Sequence, residues 1–344
     1  MSQRYPGNIV RATPLTPTGP FQNGAAPGIW TLDQAQYWLR QGLWPIAGNV
    51  ATQTLAIFAL GCTSGGVVTT RNKYTYSGDV VSAGGAATVA TAYGSAAGTG
   101  SVGIFSLGRN ASFTPLTTRD KYTYAGCVVG SATAASATTS YGSAAGNSAV
   151  GIFALGSGAT GTVATRDKYT YSGDVVAAGT SASSASYAGA AAGNSTRGIF
   201  ALGRLATCCC VRVCTRQKYT YSGCVVTSAT SATSAASCGS ATGNSTTGIF
   251  ALGNIAGWST TRDKYTYATD VVGSATAATA SSRSGSAAGN STFGLFALGC
   301  ASGARVTTRN KYTYSGDVVG SATAATTASR SGAATSDGTT GVNI

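Results

Sequence analysis

The residues able to do chemistry in this chain are few and unevenly spread. Its 344 residues carry nine acids, all aspartate, nine cysteines, and 22 lysines and arginines, with no histidine. Without imidazole the usual general base and the usual zinc or copper ligand are missing. A carboxylate pair for sugar hydrolysis would have to be two aspartates. Six cysteines cluster at Cys208, Cys209, Cys210, Cys214, Cys224 and Cys238, where thiolates could hold zinc. Three adjacent cysteines cannot all reach one ion from an extended strand, however, and no C-x-x-C pair occurs. The odd total also argues against a complete disulfide framework, so the cysteines read as reduced thiols. Asp79, Asp174, Asp270 and Asp317 recur one at a time, too sparsely for a calcium cage. The glycine-rich stretches lack the Lys-Ser/Thr context of a phosphate loop. The inventory reads as non-catalytic, without cofactor or metal.

The positive groups are the remaining candidates. A net charge of +13 points toward a polyanion. All six lysines and six arginines fall in one recurring signature: Arg71 and Lys73, Arg119 and Lys121, Arg166 and Lys168, Arg216 and Lys218, Arg262 and Lys264, Arg309 and Lys311. Two readings stand. The twelve form a basic ring that grips sulfated, phosphorylated or acidic sugar polymers, or they form a solvated rim paired with its own acids. The second is favoured where Arg166 and Lys168 stand beside Asp167 and Asp174. No nucleic-acid partner is expected.

What must position these groups is a repeat. The Lys-Tyr pair recurs in steps of 48, 47, 50, 46 and 47 residues. A second signature, of the form G-I-F-A-L-G, accompanies each copy, and A-A-G-N-S or a near variant precedes it. In "YGSAAGNSAVGIFALG" (141–156) two short strands flank a Gly-Asn-Ser turn. The G-I-F-A-L-G strand is apolar on both faces, as an inner strand covered on each side should be. In "TRDKYTYSGDVV" (165–176) alternation puts Tyr169 and Tyr171 on one face and Lys168 and Thr170 on the other. Ser-Gly-Asp then turns the chain into a return strand. The signature is read chiefly as a stacking unit, its arginine lying near a face where it pairs with Asp or covers a Tyr ring. The final stretch, 330–344, restarts a copy and stops early, whereas the first F-A-L-G has only a partial copy before it. The C-terminal piece is therefore expected to lend a strand to the first unit.

Residues 1–48 differ in kind. Six of the seven prolines and three of the four tryptophans lie there. "RATPLTPTGPF" should be extended. "TLDQAQYWLRQG" (31–42) predicts a short helix with Thr31 and Gln34 as a capping box and Gly42 and Pro45 at its end. No run of 18 apolar residues and no secretory leader is seen, so the chain reads as soluble or as part of an assembly, without membrane insertion.

The turn, the strand ending in glycine, the variable loop and the Tyr-bearing strand together resemble the kelch β-propeller repeat, from residue 47 to the end. Two departures stand out: the double glycine is single, with Cys62 after Gly61 and Arg109 after Gly108, and Val80 and Val81 lie where a late Trp is usual. The resemblance implies an all-β fold: a six-bladed kelch-like β-propeller over 49–344, preceded by an extended arm with one short helix. "APGIWTLDQAQYWLRQGLWP" (26–45) resembles a segment near the start of structural proteins of tailed bacteriophages, notably marine and cyanobacterial ones. This implies a virion protein, a tail or fibre-associated appendage, multimeric in the particle. Residues 1–48 would dock on other virion proteins through Trp30, Tyr37, Trp38, Leu39 and Trp44. Host attachment through a surface polysaccharide or protein is the expected role, with a purely architectural decoration or joining role as the alternative and a polysaccharide-acting enzyme the least supported.

Overall fold

The computed structural model describes residues 4–5, 8–9, 30–41, 54–206 and 211–338, with the side chains of residues 4–5, 8–9 and 39 excepted. The chain divides into two compact units, Met1–Thr52 and Gln53–Ile344. In the first, the helix Leu32–Arg40 forms as its capping residues dictate. The Gln34 N–H donates to Thr31 Oγ1 at 3.3 Å, and the Thr31 N–H donates to Gln34 Oε1 at 3.0 Å. No helix among the described residues is long and apolar enough to cross a membrane.

The regular structure of the second unit is almost entirely β-strand, and six four-stranded antiparallel sheets make up its body. The third sheet shows the plan. Ser143–Gly146 pairs with Val150–Ala154, which pairs with Arg166–Thr170, which pairs with Val175–Gly179. The first sheet obeys the same plan with a long-range substitution. Its first strand is Ala334–Ser336 from the far end of the unit, paired with Leu55–Ala59. The expected C-terminal contribution is therefore present. Asp337 anchors it by accepting from the Thr54 and Leu55 N–H groups at 2.9 and 3.1 Å.

The hydrophobic core is divided among the gaps between consecutive sheets. Between the second and third, Ala97 and Ile104 meet Ala144, Phe153 and Tyr169. Between the sixth and first, Ala288 and Leu295 meet Ala56, Phe58 and Tyr74. Alanine and glycine in the first two strands of each sheet let neighbouring sheets approach closely. Gly146 and Gly151 are cross-strand partners, and a Cβ on either would lie 3.0 or 2.8 Å from the Tyr171 hydroxyl. The G-N-S-x-x-G spacing is thus a flat seat for the second tyrosine of the signature. Asn147 shapes the turn by accepting the Ala149 and Val150 N–H groups at 2.9 Å each.

Candidate functional site

The signature arginines are the first candidates, and the structure does not put them on a solvated rim. Arg71, Arg119, Arg166, Arg216, Arg262 and Arg309 are at most 1% exposed. Each lies between two sheets with its guanidinium over the Phe of the next repeat, from Arg71 over Phe105 at 4.4 Å to Arg309 over Phe58 at 4.6 Å. Each also donates from Nη2 to the residue after the arginine of the next repeat. Arg71, Arg119 and Arg216 reach Asp120, Asp167 and Asp263 at 2.7–2.8 Å. Arg166, Arg262 and Arg309 reach Gln217, Asn310 and Asn72 at 2.8–3.1 Å. Pairing therefore runs between repeats: Asp167 serves Arg119, and Arg166 is served by Gln217. The acceptor is held in turn by the preceding connection, as where the Ser136 N–H donates to Asp167 at 3.0 Å. Burial lowers the pKa of all six arginines, reaching about 10 for the three that face amides.

The signature lysines are half-buried at the outer part of the sheets. Lys218 Nζ lies 3.4 Å from Asp270 of the next repeat, and Lys168 Nζ lies 3.5 Å from Cys224 Sγ. These turn positions share a left-handed backbone, with φ of 53–56° at Asp79, Cys127, Asp174, Cys224, Asp270 and Asp317. Asp174 accepts from the Tyr169 hydroxyl and from the Thr133 N–H of the preceding repeat. Partial burial works to raise the pKa of such an aspartate, but the tyrosine, threonine and lysine around it outweigh that and lower it. The four aspartates are thus latches between repeats. The expected face assignment holds within the strand, with Tyr169 buried and Lys168 and Thr170 half-buried.

A second constellation lies at the other end of the strands, where the loops between second and third strands emerge beside the connections between sheets. Six residues, each followed by glycine, line one small hollow there: Tyr93, Tyr141, Ala188, Cys238, Ser284 and Ser331. All six have φ between 54 and 63°. Their backbones form a cyclic chain of hydrogen bonds: Tyr141 N–H to Tyr93 O, Ala188 to Tyr141, Cys238 to Ala188, Ser284 to Cys238, Ser331 to Ser284, and Tyr93 back to Ser331, at 2.7–2.8 Å. The following glycine is required by close approach. A Cβ on Gly142 would lie 2.2 Å from the Ala154 carbonyl oxygen.

Arginines outside the signature surround this hollow. Arg283 and Arg330 directly precede Ser284 and Ser331, whereas Arg109 and Arg204 are bridged to Ala92 and Tyr187, which precede Tyr93 and Ala188. Arg109 Nε donates to Ser140 Oγ at 3.0 Å, and Arg204 Nε to Ser237 Oγ at 3.2 Å. Arg109 also lies 5.3 Å from the Tyr141 ring, which packs 4.2 Å from Tyr93. Arg283 lies over Trp258 at 5.1 Å. Sequence reasoning missed this site because the six lining positions hold four different residue types; the glycine after each was the only constant signal.

Trp38 on the helix and Trp30 just before it are half-buried, and Tyr37 is exposed. Trp44, the Leu39 side chain and Cys208, Cys209 and Cys210 lie outside the described residues. Among the described residues, no group of three or more acids or cysteines could hold a metal ion. The chain matches no protein-family profile and no curated relative.

Proposed function

We propose that the second unit is a closed six-bladed kelch-like β-propeller and that the chain is a non-catalytic virion protein of a tailed phage. In this reading it is a tail or fibre-associated appendage that recognises a host surface glycan or protein. Support for closure comes from three features that return to their starting point: the pairing of Ala334–Ser336 with Leu55–Ala59, the reach of Arg309 to Asn72, and the cyclic backbone bonds from Ser331 to Tyr93. Residues 1–48 would dock on other virion proteins, and Trp30, Tyr37 and Trp38 flanking or on a capped helix suit that role.

One observation carries the recognition reading. The bonds between sheets recur with little change, whereas the loops at one end diverge, from "SGATGTVAT" (157–165) to "RNASFTPLTT" (109–118) and "NIAGWSTT" (254–261). A rigid frame with variable loops is how binding surfaces are built. The test is antibody labelling of intact particles combined with binding of purified chain to host cells. Labelling at the tail together with saturable cell binding is expected. Labelling on the head without cell binding would replace recognition by a decoration role, and absence from particles would end the virion reading.

A further inference from the structure

We propose that the hollow at the loop end binds a carboxylated polysaccharide, with Arg109, Arg204, Arg283 and Arg330 taking the acidic groups and Tyr93 and Tyr141 forming a shelf for a sugar ring. This deepens the recognition reading and rests on it.

Charge is cancelled at Arg71, Arg119 and Arg216, which face aspartates, and not at Arg166, Arg262 and Arg309, which face amides. Each signature arginine has an acceptor in the next repeat, and Lys168 and Lys218 have polar partners there as well. The arginines around the hollow are instead half-buried. Their described partners are neutral: serine hydroxyls for Arg109 and Arg204, the Trp258 ring for Arg283, and Cys300 Sγ at 3.9 Å for Arg330. Among the described residues of the second unit, the aspartates at this end stand one residue into the third strands and are fully buried. Asp120, Asp167 and Asp263 are buried on arginines, and Asp79, Asp174, Asp270 and Asp317 sit in turns at the opposite end of the strands. Asp337 is bound to Thr54 and Leu55. Four half-buried cations therefore share one rim with no acid among their described partners, whereas the nearby buried aspartates are each matched by a signature arginine, and an anion entering there meets a net positive field.

The chemistry of the hollow narrows the ligand. Its cyclic backbone bonds use the N–H and C=O groups of the lining residues on one another, which leaves recognition to side chains. The Tyr93 and Tyr141 rings are tilted by 32° at 4.2 Å, and Arg109 stacks on the second. Aromatic faces cover the apolar side of a pyranose, while guanidinium forks suit carboxylates. The hollow is small, with about 50 Å³ open to a water-sized sphere, less than a pocket that encloses a whole drug-sized ligand, and it is bounded all round by six connections. That shape receives a sugar unit or chain end and does not track a nucleic-acid backbone.

The test titrates the full chain with a short oligogalacturonate, a neutral maltooligosaccharide of equal length and single-stranded DNA. Oligogalacturonate should bind, more weakly as salt rises. Arg109→Gln combined with Arg204→Gln should weaken it about tenfold or more with an unchanged melting curve, and Arg197→Gln at the opposite end should leave it unchanged. Neutral sugar binding that the double variant abolishes would overturn the acidic class while sparing the recognition reading. Oligogalacturonate binding indifferent to the double variant would overturn the site. Tighter binding of DNA would overturn the sugar. Binding to none of the three probes would overturn the inference, and only failure to bind host cells as well would reach the recognition reading beneath it.

Discussion

Replacing Asp167 tests whether the buried arginines are held by their acceptors or merely tolerated. Asp167 accepts Arg119 Nη2 at 2.8 Å, the Ser136 N–H at 3.0 Å and the Ser136 hydroxyl at 2.5 Å. Arg119 is fully buried, so Asp167→Leu leaves a desolvated cation with no acceptor, a loss of about 3–5 kcal/mol. Asp167→Asn should cost far less, on the order of 1 kcal/mol, because the fold already uses that arrangement. Asn72 and Asn310 accept an arginine on Oδ1 and donate Nδ2 to a threonine hydroxyl at 2.8 Å. Removing both partners, in Arg119→Met with Asp167→Leu, should recover most of the loss, since an apolar pair leaves nothing unpaired. Urea unfolding with a constant m value measures all three. A leucine variant as stable as the asparagine variant would refute the reasoning, as would a double variant no better than the leucine single.

Further outcomes follow from the same geometry. The Tyr171 hydroxyl is buried without a hydrogen-bond partner, so Tyr171→Phe should leave stability unchanged or raise it by up to about 1 kcal/mol, measured by the same unfolding curve. Gly151→Ala brings a Cβ to 2.8 Å from that hydroxyl and 3.1 Å from Phe153; it should cost about 1–3 kcal/mol, and adding Tyr171→Phe should restore part of it. Deleting 331–344 removes Ala334–Ser336 and with it the first strand of the first sheet, so the single cooperative melting transition should be lost. Burial raises the pKa of Tyr76, Tyr124, Tyr221, Tyr267 and Tyr314 far above the ordinary value. The unfolded chain loses those protons from about pH 10 while the folded chain keeps them, so stability should be full below that pH and fall steadily above it.

Much of the framework is legible in the amino-acid sequence alone. The Gly-Asn-Ser turn, the strand through Phe153, the strand through Tyr169 and the return through Val175 all lie where alternation and turn residues put them. The capping box at Thr31 is equally direct, because its partners are three residues apart. The fate of Arg166 is not visible, since its acceptor is 51 residues away and a charged residue at a strand start reads as solvated. One trace existed: the position after each arginine holds only Asp, Asn or Gln, side chains sharing an acceptor oxygen and little else. The hollow left less. Tyr93, Ala188 and Ser331 have nothing in common but a left-handed backbone, which side-chain identity does not report.

Each repeat carries one donor and one acceptor, spent on different neighbours. Gain or loss of a whole repeat by recombination would therefore leave every remaining guanidinium matched, provided Ala334–Ser336 could still pair with Leu55–Ala59, whereas a point change is felt by the adjoining copy. Such a gene can lengthen or shorten in modules more safely than it can drift letter by letter at these sites. The loops, whose bonds to the next copy differ from one repeat to another, are where its variation can accumulate.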